Sequence, residues 1–271
     1  MTPTHTTPPG EPNVNPPTVD FSLHDAVVTL RLTEAGRRNP LSLETMRALT
    51  ERLREVAERS DARAVVIEAA GPVFSAGHDL RQLLGRTLDD ERAIFHACTE
   101  MMDTVQAIPQ PVIAAVQGAA LAAGCQLVAT CDMAIAAETA VFGTPGVRIG
   151  LFCSTPMVAV SRAVGRKRAM QMLLTGATID ATTAADWGLI NEVVAPDLVA
   201  TRAHELARAI AGASPLTLRV GKQAFYRQID LPQSHAYLEM SEVMAVNAMT
   251  CDAQEGMSAF LEKRQPEWRG M

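Results

Sequence analysis

The chain has 271 residues, 48% of them hydrophobic and 20% charged, so it can form a full packed core and is not wholly disordered. The 24 Lys and Arg against 30 Asp and Glu give a net charge of −6, which disfavours binding to nucleic acid or to an anionic membrane. The five cysteines are odd in number and form no C-x-x-C motif, which argues against a disulfide framework or a zinc site and favours a cytoplasmic location.

The N-terminal residues 1–18 are predicted to form a disordered tail, because six of them are proline and none belongs to an apolar stretch. The same segment has no Lys or Arg, so it does not look like a signal or transit peptide. No apolar run along the chain reaches the roughly 20 residues that a membrane helix requires. We therefore expect no membrane partner.

Residues 19–195 are predicted to form an α/β core. It starts with two extended pieces joined at His24 and Asp25, followed by a helix with Ser42 as its N-cap. After them, strands and helices alternate, and strands that alternate with helices indicate parallel crossover units. The predicted strands cover residues 64–68, 112–116 and 133–136, and the helices between and around them cover 90–108 and 122–130.

From about residue 155 the pattern is almost wholly helical, and only residues 190–194 are expected to be extended. The predicted helices cover residues 155–164, 166–174, 180–187, 197–212, 215–229, 234–248 and 251–263. Residues 196–271 thus form a helical C-terminal region, of the kind that closes a site or makes subunit contacts. Within it, Arg219, Lys222 and Arg227 are predicted to form a solvated helix face.

Two turns with glycine and small residues are the strongest candidates for a functional site. The first, residues 74–80 (FSAGHDL), follows the strand 64–68, and the second, residues 118–126 (GAALAAGCQ), follows the strand 112–116. Each taken alone is also explained by ordinary packing. At the ends of adjacent parallel strands, however, they would converge, and one N–H from each could hold a thioester oxygen as it becomes an enolate.

A third segment, residues 142–156, contains Cys153 and Ser154 just before a predicted helix. A reactive Cys153 or Ser154 would need a nearby base, and no His lies close in the sequence. We therefore favour a capping role for Ser154 or Thr155, followed by Pro156 at the first helical position. Arg148 is expected either to be a buried ion-pair partner or to contact a substrate.

These segments resemble the crotonase superfamily, that is, the enoyl-CoA hydratase/isomerase family. The sequences FSAGHDL, ALAAGCQLVATCD and FGTPGVRIGL match its signature regions in order and spacing, and FLEKRQP resembles its C-terminal helix. The resemblance covers about residues 19–268 and is strongest to a branch called enoyl-CoA hydratase domain-containing proteins. It implies a core of β-β-α turns wound as a spiral, a helical C-terminal trimerisation region, and a homotrimer or dimer of trimers. It also implies an acyl-CoA ligand and neither a metal nor a redox cofactor.

The resemblance also implies the roles of individual residues. It assigns the two oxyanion N–H groups to His78 and Ala123. Asp79 is expected in addition to cap the following helix or to pair with Arg81. The CoA contacts implied by the resemblance are at Ala76, His78, Asp79, Leu80, Arg81 and Ala123, with Phe260 and Lys263 reaching the CoA of a neighbouring subunit.

The main departure from the family is the loss of both glutamates of its hydratases. Their positions hold Gln126 and Gly146. A glutamine amide can orient a water but does not titrate near pH 7, and glycine supplies no group. Because each general acid or base contributes about 10²–10⁴ in rate, hydration of a simple 2-enoyl-CoA is expected to be slower by several powers of ten.

Several residues are candidates to replace these carboxylates. His78 is the first, because imidazole titrates near neutrality; the alternative is that its side chain faces away and packs, so that only its N–H matters. His96, Cys98 and Glu100 are further candidates on the next helix, whose inward face borders the acyl pocket in relatives. The first hypothesis is an enzyme that acts on acyl-CoA through an enolate, by hydration, isomerisation, decarboxylation or thioester cleavage. The alternatives are a noncatalytic acyl-CoA binding protein and a structural subunit that assembles with an active relative.

Overall fold

The computed structural model describes residues 18–271, so the predicted tail 1–18 lies almost wholly outside the described residues. In that part of the chain the strands are β1 (Val19–His24), β2 (Val27–Leu32), β3 (Pro40–Leu41), β4 (Ala64–Ala69), β5 (Val73–Ser75), β6 (Gly77–His78), β7 (Val112–Val116), β8 (Ala119–Leu121), β9 (Met133–Ala137), β10 (Val141–Gly143), β11 (Thr178–Asp180) and β12 (Glu192–Val194). The helices are α1 (Leu43–Ala57), α2 (Leu88–Ala107), α3 (Ala123–Thr130), α4 (Pro156–Val164), α5 (Arg166–Thr175), α6 (Ala181–Trp187), α7 (Val199–Ala211), α8 (Pro215–Gln228), α9 (Gln233–Ala248) and α10 (Cys251–Glu262).

The core is a spiral of β-β-α turns. Three successive turns each give one strand to a six-stranded sheet (β4, β7, β9), one to a four-stranded sheet (β5, β8, β10), and then a helix (α2, α3, α4). The six-stranded sheet has the order β1-β2-β4-β7-β9-β12 and the four-stranded sheet the order β11-β10-β8-β5. The α/β, crotonase-like spiral expected from the sequence is therefore confirmed.

The spiral follows from which faces of the strands are apolar. Every residue of β7 is buried, as are all but one of β4, so both faces of these central strands must be covered. Helix α7 packs against β4, β7 and β9, while α1 packs against α2. As predicted, Ser42 caps α1, with its Oγ accepting a hydrogen bond from the Thr45 N–H at 3.2 Å.

The structure contains the long elements that the sequence predicts, together with several short strands that were not predicted. The three core strands and all seven C-terminal helices lie within a few residues of their predicted bounds. The expectation that residues 190–194 are the only extended segment after residue 155 is wrong, because β11 pairs antiparallel with β10. A strand of three residues is too short to show the period-2 alternation that would have predicted it.

Lys222 does not lie on a solvated helix face, and that expectation is corrected. Its Nζ is 2.8 Å from Asp132 Oδ2 and donates to the carbonyls of Val105 and Gln110 at 2.8 and 2.9 Å. Asp132 also accepts a hydrogen bond from the Tyr226 hydroxyl at 2.8 Å. These partners come from distant parts of the chain, so the pattern of α8 alone could not reveal them.

Among residues 18–271, no helix combines the length and the hydropathy that crossing a membrane requires. The same residues contain no group of three or more His, Cys, Asp or Glu side chains arranged to hold a metal ion.

Candidate active site

The two glycine-containing turns lie directly against each other. A Cβ added to Gly77, whose φ is +91°, would lie 2.9 Å from the Cβ of Ala122 and 3.2 Å from the backbone N of Ala123. A Cβ added to Gly124 would lie 2.6 Å from the Ser75 carbonyl oxygen. Neither glycine has room for a side chain. The close approach of the two turns depends on both.

The second turn leaves the peptide N–H of Ala123 at the start of a helix. Ala122 has φ +49°, unusual for a residue with a Cβ, and its N–H donates to the Gly143 carbonyl at 2.9 Å. The Gln126 N–H makes the hydrogen bond to the Ala122 carbonyl at 3.0 Å. As the first residue of α3, Ala123 has no helical carbonyl for its own N–H, which carries part of the positive end of the helix dipole.

Both turns border one cavity of about 700 Å³, a size typical of small-molecule sites. The first turn contributes Ala76, His78 and Leu80, and the second contributes Ala122 and Ala123. The rest of the lining is Phe95 of α2 together with Pro145, Gly146, Arg148, Ile149, Leu151, Phe152, Cys153, Ser154, Thr155 and Pro156. The three segments singled out in the sequence therefore meet at a single, largely apolar cavity.

Only some of the predicted substrate contacts line the cavity. Ala76, His78, Leu80 and Ala123 line the cavity, whereas Arg81 is exposed beside it. Asp79 caps the short 3-10 helix Leu80–Gln82 through the Arg81 N–H, as expected. The side-chain ion pair of Asp79, however, is with Arg37 and not with Arg81.

Phe260 and Lys263 lie at the end of α10 and do not line the cavity of their own subunit. Phe260 is exposed, as a residue serving a neighbouring subunit would be in a single chain. Their contact with the CoA of a neighbour stays a prediction.

Gln126, predicted as a catalytic residue, is not brought to the cavity. It lies one turn into α3 and is only 4% exposed. Its Oε1 is 3.8 Å from Sγ of Cys98 on α2, a distance at which the thiol donates a weak hydrogen bond. The Gln126 amide is thus directed toward α2, and Gln126 is not among the described residues that line the cavity.

Gly146 does line the cavity, but the position where its side chain would lie is filled. A Cβ built there would lie 2.0 Å from the Leu151 carbonyl oxygen and 2.8 Å from Sγ of Cys153. The Leu151 N–H donates to the Gly146 carbonyl at 3.0 Å and fixes this approach. Position 146 therefore has neither a carboxylate nor the space for one.

The His78 imidazole is held at the wall of the cavity. Its Nδ1 is 3.4 Å from the Leu41 carbonyl oxygen, and its ring meets Phe95 edge to face with centroids 5.4 Å apart. Its Nε2 is buried and has no hydrogen-bond partner within the described residues. Burial lowers the pKa of His78, against the smaller opposing effect of the Leu41 carbonyl.

The alternative groups on α2 face elsewhere. His96 and Glu100 line a separate groove with Arg54, whose guanidinium pairs with the Glu100 carboxylate at 2.7 Å. Cys98 is fully buried, and burial raises the pKa of its thiol to about 12. Phe95, which the sequence did not single out, is the α2 residue at the cavity; its only signal was its place on the helix expected to border the site.

The third segment, residues 142–156, contributes mainly apolar side chains and few polar groups to the wall of the cavity. Helix α4 begins at Pro156 as predicted, but neither Ser154 nor Thr155 makes a side-chain cap, and the Ser154 hydroxyl is 3.4 Å from the Phe152 carbonyl instead. Burial raises the pKa of the Cys153 thiol, which disfavours a reactive thiolate. Arg148 lines the cavity and is exposed, so it is not a buried ion-pair partner. Its Nε lies 3.4 Å from the Thr175 carbonyl oxygen.

Comparison with known proteins gives a consistent result. The sequence profile of the family described as enoyl-CoA hydratase/isomerase matches residues 23–271. The mitochondrial enoyl-CoA hydratase domain-containing protein 3 of Rattus norvegicus is 42% identical over 261 residues, covering 96% of this chain and 87% of the relative. A crystal structure of an enoyl-CoA hydratase from Mycobacterium smegmatis superposes with a TM-score of 0.91 at 43% identity, covering 93% of this chain and 99% of that one. That of human enoyl-CoA hydratase domain-containing protein 3 has a TM-score of 0.91 at 41% identity, covering 93% and 100%.

One expectation from the sequence is contradicted by these comparisons. The chain was expected in the cytoplasm because its cysteines suggest a reducing compartment. Its relatives in rat, zebrafish, mouse and human are all named as mitochondrial proteins. Reduced cysteines do not distinguish these two locations, and the cytoplasmic assignment is therefore withdrawn.

Proposed function

The chain belongs to the enoyl-CoA hydratase/isomerase family, and we propose that its cavity binds an acyl-CoA thioester whose carbonyl is polarised by the peptide N–H groups of His78 and Ala123. One observation carries this proposal: Gly77 packs against the backbone nitrogen of Ala123, so the N–H-bearing ends of the two turns border one apolar cavity. Loss of one such donor typically costs about 10²–10³ in rate. The proposed polarisation needs neither a metal nor a redox cofactor.

The proposal is tested by removing one N–H. Ala123 is the first residue of α3, so its N–H has no partner within the helix and a proline there removes no helical hydrogen bond. In Ala123→Pro the ring removes the donor and places a carbon where the thioester oxygen would lie. Binding of a saturated acyl-CoA should lower the thioester C=O stretching frequency in the unmodified protein and in the control Ala123→Gly, but not in Ala123→Pro.

Calorimetry on the same proteins provides the second readout. Since a hydrogen bond contributes about 0.5–1.5 kcal/mol net, the affinity of Ala123→Pro for acyl-CoA should fall by about 2- to 12-fold. An unchanged C=O shift in a folded Ala123→Pro protein would show that Ala123 does not hold the oxygen.

A second candidate function is a noncatalytic acyl-CoA binding protein. The observation that favours it is that no Asp or Glu is among the described residues that line the cavity. Tight binding with no turnover across a panel of acyl-CoA thioesters would support this function, and turnover of any one of them would support an enzyme. Co-purification with an active relative would instead support a structural subunit.

We further propose that the protein assembles as a homotrimer or a dimer of trimers through residues 196–271. Support comes from α9, which has no buried residue although it carries several large apolar side chains. In such an assembly Phe260 and Lys263 would reach the CoA of a neighbouring subunit.

A further inference from the structure

A second cavity lies apart from the acyl-CoA site, and we propose that it binds a small anion that carries two or more phosphate or carboxylate groups. Its volume is about 380 Å³, within the range of small-molecule sites. The end of α1, the start of α8 and the C-terminal residues 268–270 form most of its walls. Among the described residues, none lines both this cavity and the first one.

The second cavity is at the opposite end of the central strands from the acyl-CoA site. Residues 62–63 directly precede β4, and Pro109 and Gln110 precede β7, so the cavity borders the amino ends of these two parallel strands. The two glycine-containing turns follow the carboxyl ends of the same strands. Since β4 has six residues, the two ends are roughly 15–20 Å apart. A small anion bound in the second cavity therefore does not contact the thioester.

The lining of the second cavity is rich in positive charge. It contains four arginines, which are Arg59, Arg63, Arg219 and Arg269. Among its described lining residues Glu58 is the only carboxylate. One of the four arginines is already neutralised, because Arg59 donates to both carboxylate oxygens of Asp61, at 2.9 and 2.7 Å. The other three guanidinium groups keep their charge.

These three guanidinium groups are available to a ligand. Arg63 donates from Nη1 to the Ala211 carbonyl at 3.2 Å, which orients the side chain but leaves its charge uncompensated. The side chains of Arg219 and Arg269 make no ion pair and no hydrogen bond with residues 18–271. Like charges gathered in a cleft repel one another and attract anions. Guanidinium groups bind phosphate and carboxylate oxygens in pairs, so a multiply charged anion of either chemistry matches this set.

The C-terminal wall of the second cavity is held in place by a buried carboxylate. Asp252 is only 1% exposed, and it accepts hydrogen bonds from the N–H groups of Arg269 at 2.7 Å and of Gly270 at 3.0 Å. The Trp268 indole donates from Nε1 to the Gly212 carbonyl at 2.8 Å. The backbone that carries Arg269 is thus positioned before a ligand arrives, which lowers the entropic cost of binding.

The experiment uses inorganic pyrophosphate and citrate as probes, one for each chemistry. The chain has two tryptophans, so Trp268 in the cavity wall is the only tryptophan that remains in Trp187→Phe. Titration of this protein should change the Trp268 fluorescence with a dissociation constant of about 1 mM or lower, and added salt should weaken the binding. The probe that binds more tightly identifies the preferred chemistry of the ligand.

Two double variants of Trp187→Phe test the role of the arginines. Arg219→Gln with Arg269→Gln removes two unpaired charges from the cavity, and the dissociation constant should rise by about tenfold for each arginine. Arg166→Gln with Lys167→Gln makes the same change in net charge at exposed positions of α5, outside the cavity. This control should change the dissociation constant less than about twofold. Should the first double variant not fold, Arg219→Gln alone gives the test, with a tenfold loss.

Thermal unfolding provides a second readout. A probe that binds the folded protein should raise the unfolding temperature of the unmodified protein and of the control, but not that of the double arginine variant. Failure of both probes to bind, or equal binding by the two double variants, would overturn the site. Acyl-CoA is absent from these titrations. Their outcome is therefore independent of the proposed function, and a failure of acyl-CoA to bind would leave this inference standing.

Discussion

At two positions of this site, the backbone of another segment determines which residue type can be accommodated. Gly77 and Gly146 are both required, for opposite reasons. At Gly77 the lack of a side chain lets the second turn approach, whereas at Gly146 the Leu151 carbonyl has taken the space that a side chain would need. The path of the loop at Leu151 thus excludes any larger side chain at position 146.

The crowding at Gly146 predicts that introducing a carboxylate at this position does not produce a hydratase. The unmodified protein should hydrate a 2-enoyl-CoA more slowly than a two-glutamate relative by several powers of ten, since each missing group is worth about 10²–10⁴. Gly146→Glu should gain no hydration and should lower the free energy of unfolding by about 1–3 kcal/mol through overpacking against Leu151. Loss of the conjugated-enoyl absorbance and urea denaturation measure the two effects.

Two controls accompany that variant. Gly146→Ala adds only the Cβ and should lose a similar part of the stability, while Gly36→Ala adds a Cβ where nothing lies within 4 Å and should change the stability little. Hydration at a normal rate by the unmodified protein, or its recovery in Gly146→Glu, would contradict the account of this loop.

The site shows which residues a sequence can assign and which it cannot. The convergence of the two turns was predictable, because it depends only on adjacent strands and small residues. The direction of Gln126 was not, because it depends on how α3 packs against Cys98 of α2. The same holds for His96, whose place in a separate groove is set by the rotation of α2.

At the scale of secondary-structure elements, a buried cluster fastens α8 to the core. Lys222 crosses from α8 to the Asp132 carboxylate, which also accepts hydrogen bonds from the Tyr226 hydroxyl and, at 2.6 Å, from the Val112 N–H at the start of β7. Asp132 is thus a structural hydrogen-bond acceptor that joins three elements. The long helices were predictable from their own periodicity. The contact between Lys222 and Asp132 was not, because the two residues are 90 positions apart and neither local sequence indicates the other.

Breaking this cluster should be costly. Lys222→Met leaves the Asp132 carboxylate buried without its cation, so we expect the free energy of unfolding to fall by about 3–5 kcal/mol. Arg219→Met, on the exposed side of the same helix, should change it by less than about 0.5 kcal/mol. Chemical denaturation measures both variants.

A double variant checks the physical reason. If the loss comes from an uncompensated charge, adding Asp132→Asn to Lys222→Met should cost less than the sum of the two single changes. Additive losses would mean that the two side chains contribute independently and that the ion pair does not join α8 to the core.

At the scale of the whole molecule, the C-terminal region exposes an apolar surface that one chain does not cover. Leu238 and Val246 of α9 are 73% and 60% exposed, and both line a groove against Leu216 and Val220 of α8. Most helical stability in proteins comes from packing an apolar face, yet α9 has no buried residue. An association through this surface would supply the missing burial, and it would bring Phe260 and Lys263 to a neighbour.

The mass in solution tests this association directly. Light scattering after gel filtration should give three or six chains for the unmodified protein. Leu238→Asp combined with Val246→Asp places two charges in the shared surface and should give monomers, because an unpaired buried charge is strongly unfavourable. Leu198→Asp, at an exposed leucine before α7, should leave the mass unchanged. If the neighbouring subunit contributes to the site, the double variant should also bind acyl-CoA more weakly. A monomeric unmodified protein, or a double variant that remains assembled, would contradict the proposed interface.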